Sequence, residues 1–347
     1  MTPINTALLS YGMSGEIFHG PLLDAHQGFK LSKIVQRNST RASGRYPNVR
    51  IATSVDDVFN DQSVELIIVN TPNETHYSFT VRALEAGKHV IVEKPFSVTT
   101  KEGDELIALA KQTGKVLTVF QNRRWDGDFL TIKEIIKDKL VGGIVEFELH
   151  YDRFRNYIEA NTWKEEAAPG TGILYNLGSH MLDQVLVLFG MPTDVDARMG
   201  IQRPGGRVDD FYDIRLQYNG FHAIVKSSYL VRESMPRYII HGTTGSFVKF
   251  GIDPQEQALK EGKIPGSTSW GYDPRELWGK LNTNVGNLHV EAVVETIPGN
   301  YLAFYKNVYD VIREGKELAV KPEQSRDVIR MIEACMESNS LRKAVKV

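Results

Sequence analysis

Through the first 125 residues, short apolar strand patterns alternate with helical ones, and that alternation restricts the fold more than any other feature of the chain. Thr6-Ala7-Leu8-Leu9 reads as a strand, followed by a glycine-bearing turn and a helix to about His26. Further strands read at Lys30 to Gln36, Val64 to Asn70, Val90 to Glu93 and Val116 to Gln121. Helices read at Glu74 to Ala86, where Gly87 is a good stop, and at Lys101 to Gln112. Buried-type strands joined by helical crossovers require a parallel sheet with helices on both faces. In such an open sheet, ligands bind at the carboxyl ends of the strands.

The pattern changes after Asp126. One helix, Leu130 to Lys139, precedes longer strands at Ile144 to Arg153, Asp194 to Gln202, Asp210 to Tyr218, Phe221 to Tyr229 and Arg237 to His241. Short turns such as Asn219-Gly220 imply antiparallel neighbours. Leu174 to Phe189 interrupts as a helix-like run. Gly262 to Pro298, rich in Gly, Asn, Ser and Thr, reads as a surface loop. Tyr301 to Arg313 and Glu323 to Leu341 read as two closing helices. The chain of 347 residues thus reads as two domains, 1–124 and 125–347, the closing helices packing back toward the first.

Composition excludes several classes of function. A net charge of −2 gives no overall attraction to nucleic acid or an anionic membrane. No apolar run is long enough to span a bilayer. Met1-Thr2-Pro3-Ile4-Asn5 lacks the features of a secretion signal, and Cys335, the single cysteine, excludes an intrachain disulfide. Both fit a reducing cytoplasm. Cys335 reads as a packed helix residue, and the scattered histidines, His19 among them, form no metal-ligand pattern.

Two features point to the same sheet rim. Ser10-Tyr11-Gly12-Met13-Ser14-Gly15 follows the first strand and keeps two glycines of a dinucleotide fingerprint whose first glycine is replaced by Ser10. Gly12 would let the backbone approach a pyrophosphate, Gly15 would let the helix pack on the strand, and the helix N-terminus would face the phosphates. An ordinary strand–turn–helix is the plainer alternative. Lys94, in Glu93-Lys94-Pro95, ends another apolar strand and suggests a cationic catalytic group beside a nucleotide. After the second strand, Val35-Gln36-Arg37-Asn38-Ser39-Thr40-Arg41 holds no acid that would bind a ribose 2′-hydroxyl. Arg37, Ser39 and Arg41 could instead hold a 2′-phosphate, which favours NADP over NAD; solvated loop arginines are the alternative.

These strings occur in a distinctive order. Gly12-Met13-Ser14-Gly15, Thr71-Pro72-Asn73 with His76, Ala86 to Val90, Glu93-Lys94-Pro95, and Gly178-Ser179-His180 with Asp183 make the chain resemble the Gfo/Idh/MocA oxidoreductases over essentially its full length. Asn122-Arg123-Arg124-Trp125-Asp126, Tyr151 to Arg155, and Gly242 through Asp253-Pro254-Gln255-Glu256 are similar to a subgroup that includes bacterial NADP-dependent scyllo-inositol dehydrogenases. The resemblance implies an α/β protein: an N-terminal Rossmann domain with a parallel sheet, then an α+β domain with a large, mostly antiparallel open sheet. It also implies an active site between the two, and a homodimer or homotetramer built on the open sheet. In the cofactor site it draws in Thr71, Pro72, Asn73, His76 and Glu93.

Oxidising a secondary alcohol requires hydride transfer, proton removal and stabilisation of the developing oxyanion. Lys94 can supply positive charge, and a histidine such as His180 titrates in a range suited to taking the proton. The resemblance assigns both roles, with an acid four residues before the histidine. That position here is Asn176, which can hydrogen-bond and orient substrate but cannot act as a base. Asn122 and Arg124 follow a strand at the same rim and could contact cofactor or bridge domains. Tyr151, Arg153 and Arg155 could donate to a polyol, and Trp163 could wall its pocket; a solvated sheet face is the alternative for them. The leading expectation is hydride transfer between NADP and a cyclic polyol or sugar, best exemplified by scyllo-inositol and its inosose. A reductase of another keto-sugar and a sugar sensor without turnover are the competing readings.

Overall fold

The computed structural model describes residues 2–37, 39, 41–160 and 162–347, so Asn38 and Thr40 of the loop after the second strand lie outside the described residues, as does Asn161. The chain divides into two compact units. The first comprises Met1–Trp125, Pro254–Trp270 and Asn300–Arg326; the second comprises Asp126–Asp253, Gly271–Gly299 and Asp327–Val347. Among the described residues, no helix is long and apolar enough to cross a membrane.

The first unit holds a six-stranded sheet of β1 (Ile4–Leu8), β2 (Phe29–Val35), β3 (Arg50–Ala52), β4 (Leu66–Val69), β5 (His89–Val92) and β6 (Leu117–Val119). Their order is β3-β2-β1-β4-β5-β6, every pair parallel. Leu66-Ile67-Ile68-Val69 is wholly buried, as a central strand covered on both faces must be. The chain order reverses between β1 and β4, the crevice where a doubly wound sheet takes its ligand. The helix Thr100–Thr113 shows how local sequence sets a boundary. Thr99 Oγ1 accepts the Glu102 N–H at 3.2 Å, Glu102 returns a bond to the Thr99 N–H, and Gly114 closes the helix at φ 65°.

Short edge strand β3 and the helices Arg41–Arg45 and Asp56–Phe59 escaped the sequence reading, each being too brief to show a period. The helix Leu302–Glu314 belongs to the first unit, where Phe304 and Tyr305 pack edge-on against Phe120 and Phe29.

The second unit holds a nine-stranded sheet. Its strands are β7 (Ile144–His150), β8 (Asp194–Gly200), β9 (Phe211–Gln217), β10 (His222–Ser228), β11 (Tyr238–Gly242), β12 (Gly245–Lys249), β13 (Gly279–Val285), β14 (Leu288–Val294) and β15 (Val345–Lys346). They lie in the order β14-β13-β12-β11-β7-β10-β9-β8-β15. The pairs are antiparallel except β7 with β10, which run parallel because the chain passes through the helix Ser179–Phe189 and the β8–β9 pair before returning. The expected surface loop at Gly262 to Pro298 is corrected: it contains the β13–β14 hairpin. Composition misled there because Gly279, Leu281 and Thr283 alternate inward while Lys280, Asn282 and Asn284 face out, so polar residues hide a period of two. Gly279 is required: a Cβ there would lie 2.0 Å from the Phe247 ring.

Helix Ser179–Phe189 covers one face of this sheet, with Phe189 against Phe147 at 5.2 Å between ring centroids and the Tyr238 hydroxyl donating to Gln184 at 2.9 Å. The opposite face carries rows of opposed charge. His222 meets Glu146 at 2.8 Å, Lys226 meets Asp213 at 3.2 Å, and Lys280 meets Glu291 at 3.4 Å. His150 lies between Glu148 and Asp152, 2.8 and 3.1 Å away.

Candidate functional site

In the first unit, the turn after β1 is fixed by one side chain. Asn70, just past β4, accepts the Ser10 N–H at 3.0 Å and donates to the Ser10 carbonyl at 2.9 Å, while Ser10 Oγ donates to the Asn70 carbonyl at 2.7 Å. A Cβ at Gly15 would lie 2.5 Å from the Ser10 carbonyl oxygen and 2.9 Å from Asn70 Nδ2, so only glycine lets the helix start this close. At Gly12 the nearest atom to such a Cβ is Ser10 Oγ at 4.0 Å, leaving the backbone open to a ligand. Met13 is exposed, and Ser14 opens a wide π-type helical turn with no side-chain cap. Open backbone at a helix start suits a phosphate.

The residues expected on the adenine side lie at the end of β2. Gln36 is buried, and its Oε1 accepts the Ala42 N–H at 3.0 Å, which anchors the short helix Arg41–Arg45. Ser39 Oγ accepts the Arg41 N–H at 3.2 Å. Arg41 reaches back to Glu16 at 3.3 Å and to the Tyr11 carbonyl at 3.4 Å, beside the glycine turn. Arg37 is exposed to solvent. The role of Gln36 is one the sequence reading missed, having noted only that the residue is not an acid.

The turns after β4 and β5 are tied together by His76. Its Nδ1 faces the Pro95 carbonyl at 2.7 Å and its Nε2 faces the Thr71 carbonyl at 3.0 Å. Burial lowers its pKa, and a neutral imidazole donates to one of the two carbonyls at a time. Thr75 donates to the Pro72 carbonyl at 2.7 Å and closes the Thr71-Pro72-Asn73 turn.

Glu93 sits beneath Lys94 in a buried chain of bonds. Its Oε2 accepts the Lys94 N–H at 3.0 Å, its Oε1 meets His19 Nε2 at 3.0 Å, and His19 Nδ1 meets the Tyr305 hydroxyl at 2.6 Å. Burial by itself would raise the Glu93 carboxyl, but the His19 hydrogen bond and nearby positive charge hold it below the usual range. His19 and Tyr305 were invisible as site residues because 286 positions separate them, and no local spacing links them to Glu93. Lys94 itself is half-buried. After β6, Asn122 is buried, and Arg124 donates to the Ala319 carbonyl and to Gln324, each at 2.9 Å, fastening the segment before the last helix.

In the second unit, residues beyond β7 continue to pair with the end of β10. The N–H groups of Tyr151, Arg153 and Arg155 donate to the carbonyls of Lys226, Ser228 and Tyr229 at 3.1, 3.0 and 2.7 Å. The Arg237 guanidinium stacks 4.5 Å from the Tyr151 ring, with Arg153 at 5.3 Å on the same ring. Trp163 is 41% exposed. Asn176 and His180 lie on one helical course, a wide turn at Leu174–Gly178 running into Ser179–Phe189. Asn176 is half-buried, while His180 and Asp183 are buried. Among the described residues, no cluster of His, Cys, Asp or Glu could hold a metal ion.

Comparison with known proteins matches residues 4–121 to the oxidoreductase family's NAD-binding Rossmann fold and residues 133–347 to its C-terminal alpha/beta domain. The chain is 40% identical to scyllo-inositol 2-dehydrogenase (NADP(+)) IolW of Bacillus subtilis, covering 99% of this chain and 95% of that one. It is 40% identical to the uncharacterized oxidoreductase YdgJ of Escherichia coli, covering 96% of each. The solved structure of Bacillus subtilis YvaA superposes with a TM-score of 0.97 at 40% identity, covering 100% of this chain and 99% of that one.

The close packing at Gly15 has a measurable consequence. Gly15→Ala must displace either the Ser10 turn or the helix, and we expect affinity for a nicotinamide dinucleotide to fall by at least about tenfold, since loss of one charge-assisted bond is worth roughly 1.5–3 kcal/mol. Fluorescence titration of the reduced dinucleotide checks this, and an unchanged dissociation constant would contradict the cradle geometry. The open glycine turn, the parallel sheet that carries it and the two matched domains lead to one assignment: the chain belongs to the Gfo/Idh/MocA family of oxidoreductases.

Proposed function

We propose that the protein is an NADP-dependent dehydrogenase of a cyclic polyol, with scyllo-inositol and its inosose as the preferred pair. The observation that carries this reading is the near full-length similarity to an NADP-dependent scyllo-inositol dehydrogenase, joined to a β2 end that offers Arg37, Ser39 and Arg41 and no acid. An acid at that point would repel a 2′-phosphate. The Gln36 carboxamide is taken up by the Ala42 N–H, with Arg41 3.3 Å from Glu16 and Arg37 exposed to solvent.

A nicotinamide held at this rim would supply the hydride acceptor for the alcohol carbon. Lys94 places positive charge on the substrate oxygen, and His180 takes the hydroxyl proton. Asn176, at the position where the family resemblance implies an acid, orients substrate through its carboxamide. Tyr151, Arg153 and Arg155 supply hydrogen bonds to the other hydroxyls of a polyol, and Trp163 gives an apolar surface for a ring face. The backbone of Ser10 to Gly15, with Thr71 to Asn73 and His76, holds the dinucleotide, and Glu93, Asn122 and Arg124 shape its rim.

Arg37→Asp should shift cofactor preference, measured as kcat/KM for NADP against NAD, toward NAD by tenfold or more, because charge-assisted bonds to phosphate are about twice as strong as neutral ones. A wild-type protein that strongly prefers NAD would sink this part of the reading.

Lys94→Ala and His180→Ala should each lower kcat on scyllo-inositol by ~10²–10⁴-fold, the usual contribution of a general acid–base group. The NADPH dissociation constant should change little. The double variant should lose less than the product of the single losses, since both groups serve one proton transfer. Near wild-type turnover in the single variants would contradict both assignments, and a wild-type protein that binds sugar without turning it over would favour a sensor instead.

We infer further that a second copy of the chain covers the polar face of the nine-stranded sheet. Opposed pairs such as His222–Glu146 and Lys226–Asp213, repeated across adjacent strands, make that face complementary to itself. Sedimentation at micromolar concentration should give a dimer or tetramer that Ile239→Glu weakens. A wild-type monomer would rule this out.

A further inference from the structure

From Asp152 to Thr171, the described residues include only two that are buried, Glu165 and Gly170. The stretch carries Trp163 and exposes Tyr157 at 61%, so little apolar packing holds it. Past the backbone bonds of Arg153 and Arg155 to Ser228 and Tyr229, a buried cation holds it. Arg203 receives it: Nη1 donates to the Tyr157 carbonyl at 2.7 Å and to Glu165 Oε1 at 3.1 Å, and Nη2 donates to Glu165 Oε2 at 2.8 Å. The same guanidinium lies 4.7 Å from the Tyr229 ring. Its remaining edge turns to Asp210, whose Oδ2 accepts Arg203 Nε at 3.0 Å and the Arg203 N–H at 2.9 Å, while Oδ1 accepts the Gln202 N–H at 2.7 Å. The side chains of Arg203 and Asp210 are each 1% exposed.

The neighbouring residue does a second job. The Asp209 carbonyl accepts the Ile173 N–H at 2.9 Å and its carboxylate accepts the Leu174 N–H at 2.9 Å. These bonds fix the start of the helical course that carries Asn176 and His180. Gly172 is obligatory beside it, at φ 95° with a Cβ that would fall 2.0 Å from Asp209 Oδ1. One dipeptide therefore grips two segments, the Trp163 stretch through Arg203 and the His180 helix directly.

We propose that Asp209-Asp210, acting with Arg203 and Glu165, is a positioning clamp that sets which polyol the protein accepts and how it meets His180. The proposal rests on the reading of Trp163, Asn176 and His180 as substrate-facing residues. A buried ion cluster adds little net stability over an apolar replacement, whereas a planar fork bonded on both edges fixes geometry. Here the fork's bonds go to a loop carbonyl and a loop carboxylate rather than to the sheet core.

The test compares Glu165→Gln, which keeps shape and loses charge, with Arg203→Lys, which keeps charge and loses the fork. Both should speed tryptic cleavage after Lys164 and raise KM for scyllo-inositol on the order of tenfold, with kcat within about threefold and NADPH affinity unchanged. Asp209→Ala should lower kcat on the order of tenfold, and Asp209→Asn, which retains the acceptor, should restore most of it. Unchanged cleavage in both loop variants overturns the clamp. Faster cleavage without a change in KM overturns its role in specificity, and equal kcat in the two Asp209 variants and wild type overturns the helix half. Cleavage is read without turnover, so a wild-type protein inert toward scyllo-inositol would sink the substrate reading while cleavage still judged the clamp.

Discussion

Three hydrogen bonds between Asn70 and Ser10 hold the crossover of the first unit in place. A parallel sheet leaves its strand ends as open backbone, and where the order reverses between β1 and β4 no adjacent helix fills the crevice. Asn70 closes the gap from the β4 side without covering it, because its amide spends both polar atoms on the backbone of Ser10. The tight seat of Gly15 and the open one at Gly12 both follow from that fixed turn. Ser10, which breaks the glycine fingerprint, is thus a working part of the turn: its hydroxyl supplies the third bond.

Two largely buried carboxylates elsewhere in the first unit are paired in the same way. Glu93 is shielded from solvent, which alone would raise its pKa, yet the His19 hydrogen bond and nearby positive charge hold it below the usual range, and the Lys94 N–H satisfies its other oxygen. Glu256 is held at about 2: burial opposes ionisation, but Arg123 at 2.6 Å and Lys260 prevail. That carboxylate stabilises the fold above the ordinary glutamate range, near pH ~4.3, and the contribution fades as pH falls toward its lowered value.

Legibility in the sequence depended on whether a signal was local. The alternation of buried strands and helices, the glycine turn, and Lys94 after an apolar strand each occupy a few consecutive residues, and the parallel sheet followed from them. The β13–β14 hairpin did not, because Asn282, Thr283 and Asn284 look like a loop until Leu281 and Thr283 are seen to face the covered side. The parallel β7–β10 pair required knowing the path of the chain between them. His19 reaches Glu93 and Tyr305 reaches His19, while Arg203 reaches Tyr157 and Glu165 and Asp209 reaches Leu174, across sequence distances that no periodicity encodes. Such long-range polar contacts are set by the fold and are not announced by neighbours in the chain.

The central claim is that this fold carries a hydride between a polyol carbon and a nicotinamide. The most direct measurement supplies scyllo-inositol deuterated at its ring carbons together with NADP and analyses the cofactor by mass spectrometry. The account predicts NADPH that has gained one deuterium, formed in step with the keto product. Binding of both ligands with no deuterium in the cofactor, and no keto product, would contradict it.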